Sequence, residues 1–359
     1  MTLLLAAALP AAVRAADAPV VPRWSVALAG APAAPTLSDA DQVYVALRAG
    51  TIVAYSIEDG HERWRSELTT DQPMAVASDT IFVAAGGAVH ALRAADGTSV
   101  WRAPDLVPTA PLLARAGWLV VATEAGLVAL RAADGAVVWR RQIGAIHEQP
   151  AIEGDRLYAS TADGRIVALD VRSGTPIWEQ RLDAAPGAIL ALPDRVFVGA
   201  ARRLFCLKTV DGGIDWVWRI GAEIKGRPAA DADRVYFAAL DNVLHAQDRR
   251  SGVQRWRAEL SRRPDAGPLL DGATVLVPST SAEVWRFDAA TGRRAASLRL
   301  PGDPAVSPDV ATEAADSLRV LVVVGSLSNE WRLTRMGSLE VPALVPLTAL
   351  PGQPIPLRF

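Results

Sequence analysis

A glycine recurs along this chain at Gly60, Gly97, Gly135, Gly174, Gly212, Gly252, Gly292 and Gly337, in steps of 37, 38, 39, 38, 40, 40 and 45 residues. A period of about forty confines the chain to stacked helical pairs or to the blades of a ring, and the local pattern decides between them. Segments such as Leu157-Tyr158-Ala159-Ser160 and Arg165-Ile166-Val167-Ala168-Leu169 precede the glycine. Their short alternation and their β-branched and aromatic content predict strands. Asp59, Asp96, Asp134 and Asp211 stand directly before four of the glycines, and Ser173, Ser251 and Thr291 before three others. Glycine accepts positive φ and the preceding side chain can bond the turn backbone, so each pair predicts a tight hairpin turn. No sustained helical stripe occurs, and the units read as antiparallel meanders.

Four residues after the first six glycines stand Trp64, Trp101, Trp139, Trp178, Trp216 and Trp256, whereas Ala296 and Val341 hold that place in the last two copies. Each period supplies an inner strand near a proline (Pro35, Pro73, Pro111, Pro150, Pro228, Pro268), two further strands, and an outer strand carrying the Trp. Four strands repeated eight times predict an all-β fold: one eight-bladed β-propeller over residues 20–345. A ring of strands must hide its ends. Arg23-Trp24-Ser25-Val26-Ala27-Leu28 matches the outer-strand phrases Arg63–Leu68 and Arg255–Leu260 but follows no turn. It is therefore expected to complete the eighth blade, with the other strands coming from residues 303–337. Leu339–Val345 offers a competing outer strand for the same blade.

The spacing Ala-x5-Gly-x3-Trp, seen at Ala54/Gly60/Trp64, Ala91/Gly97/Trp101, Ala129/Gly135/Trp139, Ala168/Gly174/Trp178 and Ala246/Gly252/Trp256, resembles the tryptophan-docking motif of the pyrroloquinoline-quinone (PQQ) repeat β-propellers. The resemblance implies that each Trp lies against the neighbouring blade, where a wide ring buries much apolar area over a small residue. Trp24, Gly212 and Cys206 fit the same scheme, with Cys206 in the Ala position of copy five; copies seven and eight depart from it at Arg286 and Trp331. One branch of this family comprises quinone-dependent dehydrogenases. The other is typified by non-enzymatic outer-membrane assembly factors of the BamB type, which bind BamA-like components of the barrel-assembly machinery in the periplasm. The length, the blade count and the lack of a vicinal cysteine pair or haem-attachment site resemble the second branch, so the expectation is an envelope scaffold binding protein partners, without cofactor. A quinone-dependent enzyme and a ligand-sensing or polysaccharide-binding propeller are the alternatives.

Thirty-seven basic and thirty-nine acidic residues leave a net charge of −2, with no charge runs, which argues against a nucleic-acid partner. Residues 1–15 read as a secretory signal peptide with cleavage after Ala15; no cysteine follows the apolar run, which leaves membrane tethering open. No transmembrane span is expected, and the chain is read as a monomer. Residues 346–359 are a C-terminal tail. The four histidines show no metal-ligand spacing, and the sequence assigns no catalytic, cofactor-binding or metal-binding residue. The turn aspartates fall one per blade and give no converging set. A candidate partner surface is the connection after Trp216, where Trp218, Arg219, Glu223, Lys225 and Arg227 interleave aromatic and charged groups of the kind enriched at binding hot spots. Arginine pairs at 140–141, 202–203, 249–250, 262–263 and 293–294 read as solvated turns, with a basic rim for an acidic partner or a lipid headgroup as the lesser alternative.

Overall fold

In the computed structural model, residues 20–279, 281–305, 309–312, 318–325 and 330–338 are described, and all their regular structure is β. The turns explain the local folding. Gly60 and Gly135 sit at φ 76° and 70°, a region closed to most side chains. Asp134 Oδ1 accepts the Ala136 N–H at 3.0 Å. Where the turn reads Ser-Gly or Thr-Gly, an aspartate at the end of the third strand takes over, as Asp248 does for the N–H and hydroxyl of Ser251, both at 2.8 Å.

The strands form eight four-stranded antiparallel sheets. Blade three shows the plan: Leu113–Arg115, Trp118–Thr123, Gly126–Arg131 and Val137–Gln142 follow one another from the inside outward. Neighbouring inner strands touch one another and make the central ring. The second and third strands of a blade are covered on both faces. Val120, Ala122, Leu127 and Ala129 of blade three pack on Leu157, Ala159, Val167 and Leu169 of blade four, whereas the alternate residues Leu119, Val121, Val128 and Leu130 pack on blade two. Period-two alternation thus serves two neighbours, and both sets are apolar.

Blade eight is assembled from both ends of the chain. Asp309–Thr312, Leu318–Gly325 and Trp331–Ser338 supply its inner three strands, and Val20–Leu28 its outer one, in register from Val20 opposite Ser338 to Leu28 opposite Trp331. A bulge falls between Pro22 and Trp24, at a proline that has no N–H to give the ladder. Ring closure by the N-terminal strand is as expected, but the eighth turn is not where the repeat places it. Gly337 lies inside a strand, opposite Val21 and Arg319. Because the outer strand arrives from the other terminus, the third strand has no hairpin to make. The competing segment 339–345, the signal-like residues 1–15 and the tail 346–359 lie outside the described residues. No helix among the described residues is long and apolar enough to cross a membrane.

Candidate functional site

Seven docking units occupy seven of the eight blade junctions. The indole N–H groups of Trp24, Trp64, Trp101, Trp139, Trp178, Trp216 and Trp256 donate to the carbonyls of Ile57, Ala94, Ala132, Val171, Thr209, Arg249 and Ala289 at 2.7–3.3 Å. Every acceptor lies three residues before a turn glycine of the next blade. The rings cover Gly60, Gly97, Gly135, Gly174, Gly212, Gly252 and Gly292 so closely that a Cβ would come within 2.5–2.8 Å of ring atoms. The alanine of each motif copy has a different role. Ala54 stands opposite Trp64 on its own blade with Tyr44 on its other side, and the two aromatic rings meet over it with centroids 5.8 Å apart. Cys206 fills this place between Phe197 and Trp216. Burial pushes its thiol up to about 12, so it behaves as a small apolar group. At the junction between blades seven and eight the Trp position is Ala296. There Met336 packs with Leu276, Val284, Leu298 and Leu300 instead.

The connection from blade five to blade six departs most from the repeat. Trp218 lies opposite Leu204 and is half-buried against the cluster of Phe197, Leu204, Cys206 and Phe237, together with Ile220 and Ile224. Arg219 is exposed opposite Arg203, and Arg203 pairs with Asp183. Exposed Glu223 accepts the Leu240 N–H through its backbone carbonyl at 2.9 Å. Ile224 and Lys225 pair with Ala239 and Ala238, Ala229 and Ala230 pair with Tyr236 and Val235, and the residues between them bulge out of register. This bulge is wedged in place. A Cβ on Gly226 would lie 2.3 Å from the Gly267 nitrogen, and one on Gly267 would lie 2.1 Å from the Arg227 carbonyl oxygen. Two bare backbones therefore cross, which fixes the start of the Arg227 side chain.

Lys225 and Arg227 consequently belong to the central ring. Arg227 reaches solvent yet is surrounded by inner-strand atoms; desolvation, helped by repulsion from Arg115 of blade three, pulls its pKa below the ordinary arginine value. Arg115 donates to the Ile152 carbonyl at 2.9 Å and lies 3.6 Å from Glu153. Burial pushes the Glu148 carboxyl up, against the pull of Lys225 and His147. Arg227 thus senses the charge of Arg115, and Glu148 that of Lys225, although the partners lie in different repeats. Their only trace in the sequence is a charge at the end of an inner strand, or just before the proline that opens one. Beside Arg227 is a cavity of about 410 Å³ walled by the inner strands of blades five to seven, including Leu190, Pro228, Leu269 and Leu270. A larger cleft of about 680 Å³ lies between the loops of blades one and two, where Arg48, Thr70, Asp71 and Gln72 meet Leu106 and Val107.

Other polar groups are engaged locally. Arg141 donates to the Gly174 carbonyl, Arg249 pairs with Asp194 at 2.9 Å, and Arg294 lies 3.3 Å from Glu283. One member of these arginine pairs is therefore committed to the scaffold. His245 stacks on Phe237 at 4.8 Å, and burial lowers its pKa. Among the described residues no group of three or more His, Cys, Asp or Glu side chains is placed to hold a metal ion.

The sequence model of the outer membrane protein assembly factor BamB matches residues 12–117 and 162–328. BamB of Pseudomonas aeruginosa is 30% identical over 168 residues, 43% of this chain and 44% of the relative; BamB of Yersinia pestis is 23% identical over 156 residues, 38% and 40%. Each alignment spans less than half the length of the curated relative. Among solved structures, BamB from Moraxella catarrhalis superposes with a TM-score of 0.68 at 18% identity, covering 90% of this chain and 98% of that one. A quinohemoprotein alcohol dehydrogenase from Comamonas testosteroni also superposes at 0.68, with 14% identity, covering 90% and 77%. At these identities the superpositions establish the fold alone.

Proposed function

This chain belongs to the family of the outer membrane protein assembly factor BamB, and from that membership we propose that it acts in the cell envelope as a non-enzymatic scaffold for outer-membrane protein assembly. The observation that carries the reading is that the family match runs through both the first and the second half of the ring. The repeat supports it as well. Its recurring residues are spent on turns and blade junctions, which leaves function to the connections that depart from the repeat. The partner surface is the blade five-to-six connection, where exposed Arg219 and Glu223 border the half-buried Trp218. The partner is a BamA-like component of the barrel-assembly machinery, met in the periplasm after export by residues 1–15.

Crosslinking and co-purification of the full chain from its native envelope test this function. Recovery of barrel-assembly components is expected, reduced when Arg219→Glu is combined with Glu223→Arg. Their consistent absence, or recovery indifferent to the double charge reversal, counts against the function or the surface respectively. Added PQQ with calcium is expected to leave the melting temperature unchanged; clear stabilisation would instead favour a quinone-dependent enzyme.

A further inference from the structure

The cavity beside Arg227 combines three features. Its walls are mostly apolar, with Leu190, Leu269 and Leu270 each half-buried. They have side-chain surface left to cover, and about 410 Å³ is ample for a small ligand. Its rim carries Arg227, which makes no hydrogen bond or ion pair with any described residue. The other charged group on the wall, Asp271, is already engaged. Finally, the crossing of Gly226 and Gly267 locks the bulge, which fixes the backbone from which Arg227 projects at the cavity.

A guanidinium with no ion pair among the described residues, on a wall whose one carboxylate, Asp271, is engaged elsewhere, gains most from a planar anion that accepts two N–H groups at once. Apolar walls add affinity for a hydrocarbon body next to that anion. We propose that the cavity between the inner strands of blades five to seven binds a small amphiphile, an acyl chain ending in one carboxylate, with the carboxylate on Arg227 and the chain against Leu190, Leu269 and Leu270. The ligand is held without covalent chemistry.

The test is calorimetric titration of the purified full chain with decanoate, with decanol supplying the chain without the charge and acetate the charge without the chain. Saturable decanoate binding is expected, with decanol and acetate each at least about tenfold weaker, as the loss of one charge-assisted bond or of the apolar contact predicts. Arg227→Gln, at an exposed position, is expected to weaken decanoate by a similar factor and to leave decanol unchanged. Ala266→Leu, on the cavity wall, is expected to abolish both. Absence of saturable decanoate binding, equal affinity for decanol, or an Arg227→Gln variant that binds as the parent does would each overturn the proposal. None of these outcomes depends on recovering a protein partner.

Discussion

Trp24 donates its indole N–H to the Ile57 carbonyl at 2.7 Å, and its ring lies over Gly60, whose missing Cβ would otherwise stand 2.8 Å from ring carbons. Trp24 belongs to the strand that completes blade eight, Gly60 to the turn of blade one. The pair is therefore the clasp of the ring. Trp24→Ala is expected to cost about 2–4 kcal/mol, below the upper end of the range for aromatic truncation because Trp24 is only partly buried. Amide hydrogen exchange should then accelerate through Trp331–Ser338, the strand paired with Val20–Leu28. Trp139→Ala, at a mid-ring junction, should leave that strand protected; equal loosening in both variants would remove the special role of the clasp.

Two glycines separate backbone strain from docking. Gly86 at φ 55° has no atom within 4 Å of an added Cβ, whereas Gly97 at φ 71° would place that carbon 2.5 Å from the Trp64 ring. Gly86→Ala should cost only the left-handed penalty, about 1–2 kcal/mol. Gly97→Ala should cost about 1–3 kcal/mol more, since the ring has to leave its seat. Chemical denaturation of the two variants measures the difference, and equal losses would contradict a close-packed dock.

Gln247 occupies the strand position held by Leu92, Leu130, Leu169 and Leu207 in other blades. It is fully buried, and neither amide atom has a hydrogen-bond partner among the described residues. Removing a buried amide that gains no bond in return should stabilise the fold. Gln247→Leu is expected to add about 1–2 kcal/mol with an unchanged denaturant slope. A loss of stability would mean that the amide is satisfied in solution.

The turn of blade six carries a pH dependence. The Ser251 backbone N–H holds the Asp248 carboxyl well below the usual carboxylate range, with help from Arg255 and the Ser251 hydroxyl. A depressed folded-state pKa contributes stability above the unfolded value of about 4, and that contribution is lost as pH falls toward the folded value. Asp248→Asn should therefore be less stable than the parent at neutral pH, and the gap should narrow below about pH 4. Unfolding curves between neutral and acid pH check this, and a gap independent of pH would rule out the carboxylate as its source.

Strand order, the turns and the blade number were legible from the sequence, because most blades are built by neighbours in the chain: a glycine at positive φ, an aspartate one or four residues before it, and an alternating strand on either side. Two readings could not come from spacing alone. Gly337 keeps the period by position yet pairs inside a strand, since nothing local reveals that the next strand is donated from residue 20. In the docking motif, Ala54 and Trp64 belong to one blade while the glycine under Trp64 is Gly97 of the next. The motif read along one copy therefore joins halves of two different contacts.

The site divides along the same line. Arg219 and Lys225 were visible as charges in an irregular connection, because the departure from the repeat is itself a sequence signal. That Lys225 and Arg227 share an electrostatic environment with Glu148 and Arg115 depends on the ring, which sets inner strands from blades three to six around one opening. By itself the sequence determined what bonds and packs over short distances, namely the hairpins and the strand periodicity. Only the tertiary structure decided which terminus seals the ring and which distant charges share its centre, because both follow from contacts between residues that no local hydrogen bond or spacing connects.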